Sequence, residues 1–285
     1  MPGENGTVAR GFPESPEFAR LVAGANDVHL ARIALEIARD AHPDLDIERY
    51  LARIERLAER ARERCHPGSK VRDILGQINW VLFVEAGLRA NEDDYYDPRN
   101  SYLNDVLDRG LGIPISLSLL YWAVGEHLGL GLAGANLPLH FMLRFEEDGG
   151  IWFVDPFRGG AIYNRQNCER TLSDIAQQPV ILTDSLTQPC AIRLVVVRML
   201  RNLKAIYGKR QDVTALLPVQ RRLAALVHDD PSELRDLGLI YAQIHRLGEA
   251  IDPLEAYLAC ASCAADAHDV RALVEALRHK IAEWN

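Results

Sequence analysis

Apolar residues recur at intervals of three and four along the amino-terminal third of the chain, a spacing typical of amphipathic helices. The stripe is clearest from Ile47 to Ala61, where Glu and Arg residues occupy the opposite face. Residues suited to cap a helix precede the runs, namely Ser15, Asn26 or Asp27, Asp46 and Ser69. The pattern therefore predicts a helical amino-terminal part whose charged faces are solvated.

A continuous apolar run replaces the helical stripes at Pro114. Residues Ile115–Leu128 are apolar on nearly every face, and Pro114 suits a first helical position because its missing N–H would be unpaired there anyway. Gly129 can end the helix in the left-handed conformation. We therefore predict a central helix that is buried on all sides, with Ser116 and Ser118 near its positive end.

Strict alternation begins after the central helix. Residues 140–146 and 151–157 alternate on either side of an Asp-Gly pair, which is a strong signal for a β-hairpin. A turn at that pair places Met142 opposite Asp155, so His140 and Asp155 share a face at roughly 7–8 Å. The other face is expected to point into the core and carries Phe141, Leu143, Phe145, Trp152 and Val154.

Three residues follow one another in an order that suggests catalysis. Ser116 begins a helix, His140 lies on a predicted strand, and Asp155 points toward His140 from the next strand, which is the layout of a nucleophile, a base and an orienting carboxylate. Ser116 has two open interpretations: a nucleophile activated by His140, or a capping residue of the central helix. The pKa of a hydroxyl is far too high for a helix dipole to ionise it, whereas the pKa of a thiol is easily lowered.

The strings GIPISLSLLY, LPLHF and VDPFRGG, in this order, resemble the SirB-type transglutaminase-like proteins, which carry tetratricopeptide repeats at the carboxyl end. The resemblance implies a fold related to papain-type cysteine proteases over residues 90–165. Catalytic relatives carry Cys at the helix start, where this chain has Ser116, with Ser118 as the second choice. Leu139 stands where this branch usually has Gly.

The resemblance, with Ser in place of the nucleophilic Cys, implies a non-catalytic bacterial protein, a pseudoenzyme that acts as a protein-interaction or regulatory module. The alternative is a hydrolase or acyl transferase that uses a Ser116–His140–Asp155 triad. We expect the partner of this chain to be an unidentified protein or peptide.

A repeat marks the carboxyl-terminal part. The segment LRNLKAIY at Leu200–Tyr207 recurs as LRDLGLIY at Leu234–Tyr241, an offset of 34 residues, which is the tetratricopeptide period. We predict two domains, a transglutaminase-like domain at 1–190 and an all-α tetratricopeptide-like pair at 191–285. The fold class is α+β: a helical amino-terminal part and a small antiparallel sheet against the central helix, followed by the helical pair.

Charge and cysteine content limit the classes of partner and the cellular compartment that we expect. A formal net charge of −8 argues against nucleic acid and anionic membranes as partners, and no run approaches the ~18 apolar residues of a membrane span. The first residues lack the apolar segment of a secretory signal, and the odd count of five cysteines indicates reduced thiols. These features predict a cytoplasmic protein.

Other candidate sites give weak signals. Asp93, Asp94 and Asp97 lack the spacing of a calcium loop and are expected to lie in a solvated loop. Cys168 follows the His and the Asp, which is the wrong order for this fold, and a single Cys260–Cys263 pair with His268 downstream is weak for zinc. Glycine pairs at 149–150 and 159–160 lack the surroundings of a phosphate loop. We therefore expect neither a metal nor a cofactor.

Overall fold

The computed structural model describes residues 12–283 with the exception of Asn136. Most of the amino-terminal segment that suggested the absence of a signal peptide lies outside the described residues. The chain divides into two compact units, Met1–Met199 and Leu200–Asn285. The domain boundary after residue 190 stays a prediction.

The first unit forms helices where the apolar stripes and the central run predict them, but two of the predicted caps were wrong. The bounds of the helices are α1 Pro16–Val22, α2 Leu30–Ala38, α3 Ile47–Glu63, α4 Val71–Asn79, α5 Leu103–Arg109, α6 Pro114–His127 and α7 Arg165–Ala176. Ser15 does occupy the cap position of α1, without a capping hydrogen bond from its side chain. The carboxylate of Asp46 accepts from the Arg49 N–H at 3.1 Å, which confirms that cap. The prediction of Asn26 or Asp27 was wrong, because His29 caps α2 and accepts from the Arg32 N–H.

The cap predicted at Ser69 was also wrong. Its hydroxyl donates to the carbonyl of His66 and accepts from the His66 N–H, so it closes the preceding turn. Lys70 takes the cap position of α4, and the Asp73 carboxylate accepts from its backbone N–H. A π-helical segment, Trp80–Glu85, extends α4 toward Gly87.

The central helix is α6, and the structure confirms the prediction that it is buried on all sides. Every residue from Pro114 to Gly125 is buried, with Pro114 in the first turn. Gly129 follows the helix with a φ of 75°, in the left-handed region. The apolar run without a polar face therefore forms the helix around which the first unit packs.

A four-stranded antiparallel sheet lies beside α6. Its strands are β3 Ala133–Ala135, β4 Met142–Glu147, β5 Gly150–Asp155 and β6 Ala161–Tyr163, in the order β3-β4-β5-β6. Leu143 pairs with Val154 and Phe145 with Trp152, which is the register predicted from the Asp-Gly turn. The fold class is α+β, as predicted.

The strands are shorter than the alternation suggested. β4 begins at Met142, so His140 precedes the strand, and β5 ends at Asp155 because Pro156, which has no N–H to donate, begins a 3-10 turn. Leu139, with a φ of 62°, redirects the chain just before His140. The predicted placement of His140 within a strand was therefore wrong.

Both faces of the sheet are covered. Of the residues expected in the core, Phe141, Leu143, Phe145 and Val154 are buried, whereas Trp152 is half-buried beneath the Arg72 guanidinium, 3.6 Å from its ring. The face that carries Asp155 also packs into a core, formed by residues of β3–β5, α7 and the following loop: Ala135, Leu137, Met142, Phe153, Cys168, Leu172 and Leu182. The His–Asp pair therefore lies at the edge of a covered face.

A short parallel pair, absent from the sequence prediction, brackets the loop before α6. It joins β1 Arg89–Ala90 to β2 Leu111–Gly112. Residues 91–110 between them include a 3-10 turn at Pro98–Asn100 and helix α5. The pairing therefore ties this loop to the start of the central helix.

The second unit is helical. Helix α8 Ile192–Arg210 contains the division between the units, and α9 Val213–Leu226, α10 Ser232–Gln243, α11 Leu247–Cys260 and α12 Ala267–Glu283 follow. Helices α9 and α11 begin at the same offset of 34 residues as the repeated segments. No helix in the described part of the chain has the length and the apolar character that a membrane crossing demands.

Candidate functional site

A buried histidine and a buried aspartate form the centre of the candidate site. The Nε2 atom of His140 lies 2.9 Å from Oδ2 of Asp155, and the two side chains are 5% and 0% exposed. The other carboxylate oxygen accepts from the Phe157 N–H at 3.0 Å, and the Arg158 Nε lies 3.8 Å from Oδ2. Asp155 is thus held at the end of β5 and fixes the imidazole through Nε2.

The second imidazole nitrogen of His140, Nδ1, makes no hydrogen bond with the described residues. The backbone N–H of His140 donates to the Pro138 carbonyl at 2.7 Å across Leu139, which closes a tight turn with positive φ. This turn and the Asp155 contact together set the orientation of the ring.

Ser116 is engaged with the backbone. Its Oγ donates to the Asn100 carbonyl at 2.5 Å and accepts from the Ile113 N–H at 3.0 Å. The residue is 2% exposed, and the structure records no hydrogen bond between Ser116 and His140. Ser118, the second choice, is fully buried and its Oγ lies 3.4 Å from the carbonyl of Phe141.

The loop that receives the Ser116 hydroxyl is an ordered network. Asn100 is fully buried, and its side-chain oxygen accepts from Asn91 at 2.9 Å and from Arg109 at 3.3 Å. Asp97 is also buried and pairs with Arg99 at 2.7 Å and Arg109 at 3.1 Å. The expectation that Asp97 lies in a solvated loop was therefore wrong, while Asp93 and Asp94 are exposed.

The ion pairs of Asp97 make a prediction about pH. Burial opposes its ionisation, but the hydrogen bonds from Arg99 and the charge of Arg109 outweigh it and hold the pKa of Asp97 below its ordinary value. A carboxyl with a lowered folded-state pKa stabilises the fold above its unfolded pKa, about 4, and loses this contribution as pH falls below that value. Asp97→Asn should therefore cost about 2 kcal/mol at pH 7 and progressively less below pH 4.

Urea unfolding of both proteins at a series of pH values measures this difference. The matched control is Asp93→Asn, since Asp93 is exposed in the same loop. A difference between wild type and Asp97→Asn that stays constant down to pH 2 would show that the charge of Asp97 does not stabilise the loop.

A cavity of about 430 Å³ opens beside His140. Its walls come from the loop after β1, the start of α6, the turn before β4, the 3-10 turn after β5, and α7. The lining residues are Glu92, Tyr95, Tyr96, Pro114, Leu139, His140, Phe157, Arg158 and Ile175. His140 is predictable from the sequence, whereas Tyr95, Tyr96 and Arg158 were not predicted as site residues. The adjacent aromatic pair and the DPFR segment are the signals that the sequence offers for them.

Cys168 and the Cys260–Cys263 pair are the remaining candidates. Cys168 is buried, and burial raises the pKa of its thiol to about 12, which disfavours the reactive thiolate at neutral pH. Cys260 and Cys263 are exposed free cysteines. Among the residues that the structure describes, no cluster of three or more His, Cys, Asp or Glu side chains is arranged to hold a metal ion.

Family models match the chain in two places. The model of the transglutaminase-like superfamily matches residues 48–201, more than half of the chain, and the tetratricopeptide-repeat model matches residues 203–278. The first match contains Ser116, His140 and Asp155. These matches show that the chain belongs to the transglutaminase-like superfamily and carries tetratricopeptide repeats after the α+β domain.

The individual relatives include bacterial proteins of the UPF0162 group and a mammalian F-box protein. The UPF0162 protein of Xylella fastidiosa (strain Temecula1) is 36% identical over 233 residues, which are 80% of this chain and 83% of the relative. The UPF0162 protein YchA of Escherichia coli (strain K12) is 26% identical over 251 residues, 87% of this chain and 91% of the relative. The F-box only protein 21 of Mus musculus is 33% identical over 148 residues, 49% of this chain and 22% of that protein. No solved structure matches the chain.

Proposed function

We propose that this chain is a non-catalytic, SirB-type transglutaminase-like protein of the bacterial cytoplasm that serves as a protein-interaction module. In this proposal the cavity beside His140 receives a segment of a partner protein. The observation that carries it is the hydrogen bonding of Ser116, whose hydroxyl is engaged by the backbone of Asn100 and Ile113.

The geometry of Ser116 supports a capping role, but not at the cap position itself, which Ile113 holds. Ser116 is the third residue of α6, and its hydroxyl accepts from the Ile113 N–H. A serine nucleophile passes its proton to a base within about 3 Å. Here the hydroxyl of Ser116 donates a hydrogen bond to the Asn100 carbonyl, and its oxygen accepts one from the Ile113 N–H. Activation would require the bond to the Asn100 carbonyl to break in a site that is 2% exposed, which leaves a buried carbonyl unpaired.

The second unit supports the interaction part of the proposal. Tetratricopeptide repeats stack antiparallel helices and form extended surfaces that proteins of this class use for binding. The described residues from Leu200 onward are helical over most of their length and follow the repeat period. A protein with the cavity beside His140 and with tetratricopeptide repeats is suited to bind another protein without acting on it chemically.

The alternative, a hydrolase or acyl transferase with a Ser116–His140–Asp155 triad, is favoured by one observation, the 2.9 Å bond between His140 and Asp155. A turnover assay separates the two functions. With p-nitrophenyl acyl esters and thioesters as donors, we expect wild type, Ser116→Ala and His140→Ala to give the same background rate. A wild-type rate that both substitutions abolish would contradict the proposal and establish the hydrolase.

A further inference from the structure

We propose that the cavity beside His140 recognises the free carboxylate at the carboxyl end of a peptide whose last residue is apolar or aromatic. This inference rests on the proposed interaction function and names the chemistry of the partner segment. Two halves of the cavity carry it, one with groups that bind an anion and one with exposed apolar side chains.

The anion-binding half combines three features. His140 is 4% exposed, and its Nδ1 is without a partner among the described residues while Nε2 is bonded to Asp155. Pro114, the first residue of the 14-residue helix α6, lines the same cavity. Proline has no N–H to donate, so α6 contributes the positive field of its dipole there. Arg158 adds a guanidinium, and its side chain is 48% exposed.

A ligand carboxylate fits His140 in a definite way. With Nε2 held by the buried Asp155 carboxylate, an imidazolium donates its second proton from Nδ1 to the ligand. The Asp155 carboxylate lies on the far side of the ring, with its Oδ2 2.9 Å from Nε2. The guanidinium of Arg158 can then pair with the second carboxylate oxygen, which is the geometry that arginine favours.

The apolar half is shaped by Leu139. This residue is 66% exposed and adopts a φ of 62°, a conformation that costs a non-glycine residue energy. Exposure means that packing within the protein does not compensate for the strain. Tyr95, Phe157 and Ile175 line the cavity together with it, so the half offers apolar and aromatic contacts to a terminal side chain.

The charges around His140 favour an anion over a cation. Asp155 is sequestered, because His140, the Phe157 N–H and Arg158 surround it and it is fully buried. Glu92 is then the carboxylate among the lining residues, and it is exposed on the loop. Removal of Glu92 should therefore strengthen the binding of a carboxylate, whereas a cationic ligand would lose affinity.

Matched peptides test the proposal with the full-length protein. The probes are N-acetyl-Gly-Gly-Phe with a free carboxylate, the same peptide as its carboxamide, and 3-phenylpropionate, and isothermal titration calorimetry at one fixed pH measures their affinities. We expect the peptide acid to bind at least tenfold more tightly than the amide and than 3-phenylpropionate.

Three variants locate the binding. Arg158→Gln should lower the affinity for the peptide acid at least fivefold, with little effect on the affinity for the amide. Glu92→Gln should raise the affinity for the acid two- to threefold. The third variant, His42→Gln, is a control outside the cavity, because His42 is bonded to Asp105 at 2.9 Å and lines a different cavity. We expect this control to bind the peptide acid as wild type does.

Each alternative outcome would refute a different part of the proposal. Equal affinities of the acid and the amide would refute carboxylate recognition while a peptide-binding cavity remained. Equal affinities of 3-phenylpropionate and the peptide acid would refute the peptide end and indicate a small aromatic acid as the ligand. Failure of every probe to bind would refute both this inference and the assignment of the cavity to a partner segment, and the turnover assay would still decide on catalysis.

Discussion

Ser116→Ala is expected to destabilise the protein by about 2–4 kcal/mol. The substitution removes the hydroxyl that accepts from the Ile113 N–H and donates to the Asn100 carbonyl. Both groups belong to buried residues, so each keeps the cost of desolvation without a partner. Urea unfolding at neutral pH measures the change in the free energy of unfolding.

Ser118→Ala is the matched control on the same helix. Ser118 is as buried as Ser116, but its hydroxyl makes one long contact, 3.4 Å to the Phe141 carbonyl, so we expect a loss of about 1 kcal/mol or less. A Ser116→Ala protein as stable as wild type, or more stable, would contradict the capping role. That result would be expected of a residue kept for chemistry at the expense of stability.

Gly160→Ala should cost about 3 kcal/mol or more, since it adds overpacking to backbone strain. Gly160 follows the turn that ends the Asp155 strand, and its carbonyl accepts from the Asn79 side chain at 3.1 Å. A Cβ at this position would overlap the Asn79 amide, whose oxygen accepts from the Tyr121 hydroxyl at 2.9 Å. The φ of 77° is also unfavourable for any residue with a Cβ. Thermal and urea unfolding would measure the loss.

The neighbouring Gly159 separates the two causes. It has a φ of 65°, but a Cβ there meets no atom within 4 Å, so Gly159→Ala should show backbone strain alone, about 1–2 kcal/mol. Equal losses for the two alanine variants would show that the contact between Asn79 and Gly160 does not constrain the turn beside Asp155.

The features predictable from sequence were those fixed by local pattern. The apolar run after Pro114 determined the buried helix, and the Asp-Gly pair determined the register that brings Asp155 opposite the start of β4. The ends of the strands were not predictable from alternation, because the positive φ of Leu139 and the ring of Pro156 decide them.

The partners of Ser116 could not be read from the sequence. Asn100 lies 16 positions earlier, and its carbonyl reaches the start of α6 because β1 pairs with β2 and because Asp97 is held by two arginines. Each strand of that pair has two residues, too short for periodicity to reveal. The same non-local folding brings Tyr95 and Arg158 into one cavity with His140.

The most direct test of the non-catalytic interpretation is the reactivity of Ser116 in the wild-type protein. A fluorophosphonate probe, which modifies serines activated by a histidine, followed by intact-mass and peptide mass spectrometry, measures it. We expect Ser116 to remain unmodified under conditions that fully label a serine hydrolase. Stoichiometric labelling of Ser116 that disappears in His140→Ala would contradict the account and show that the serine, the histidine and the aspartate act as a catalytic triad.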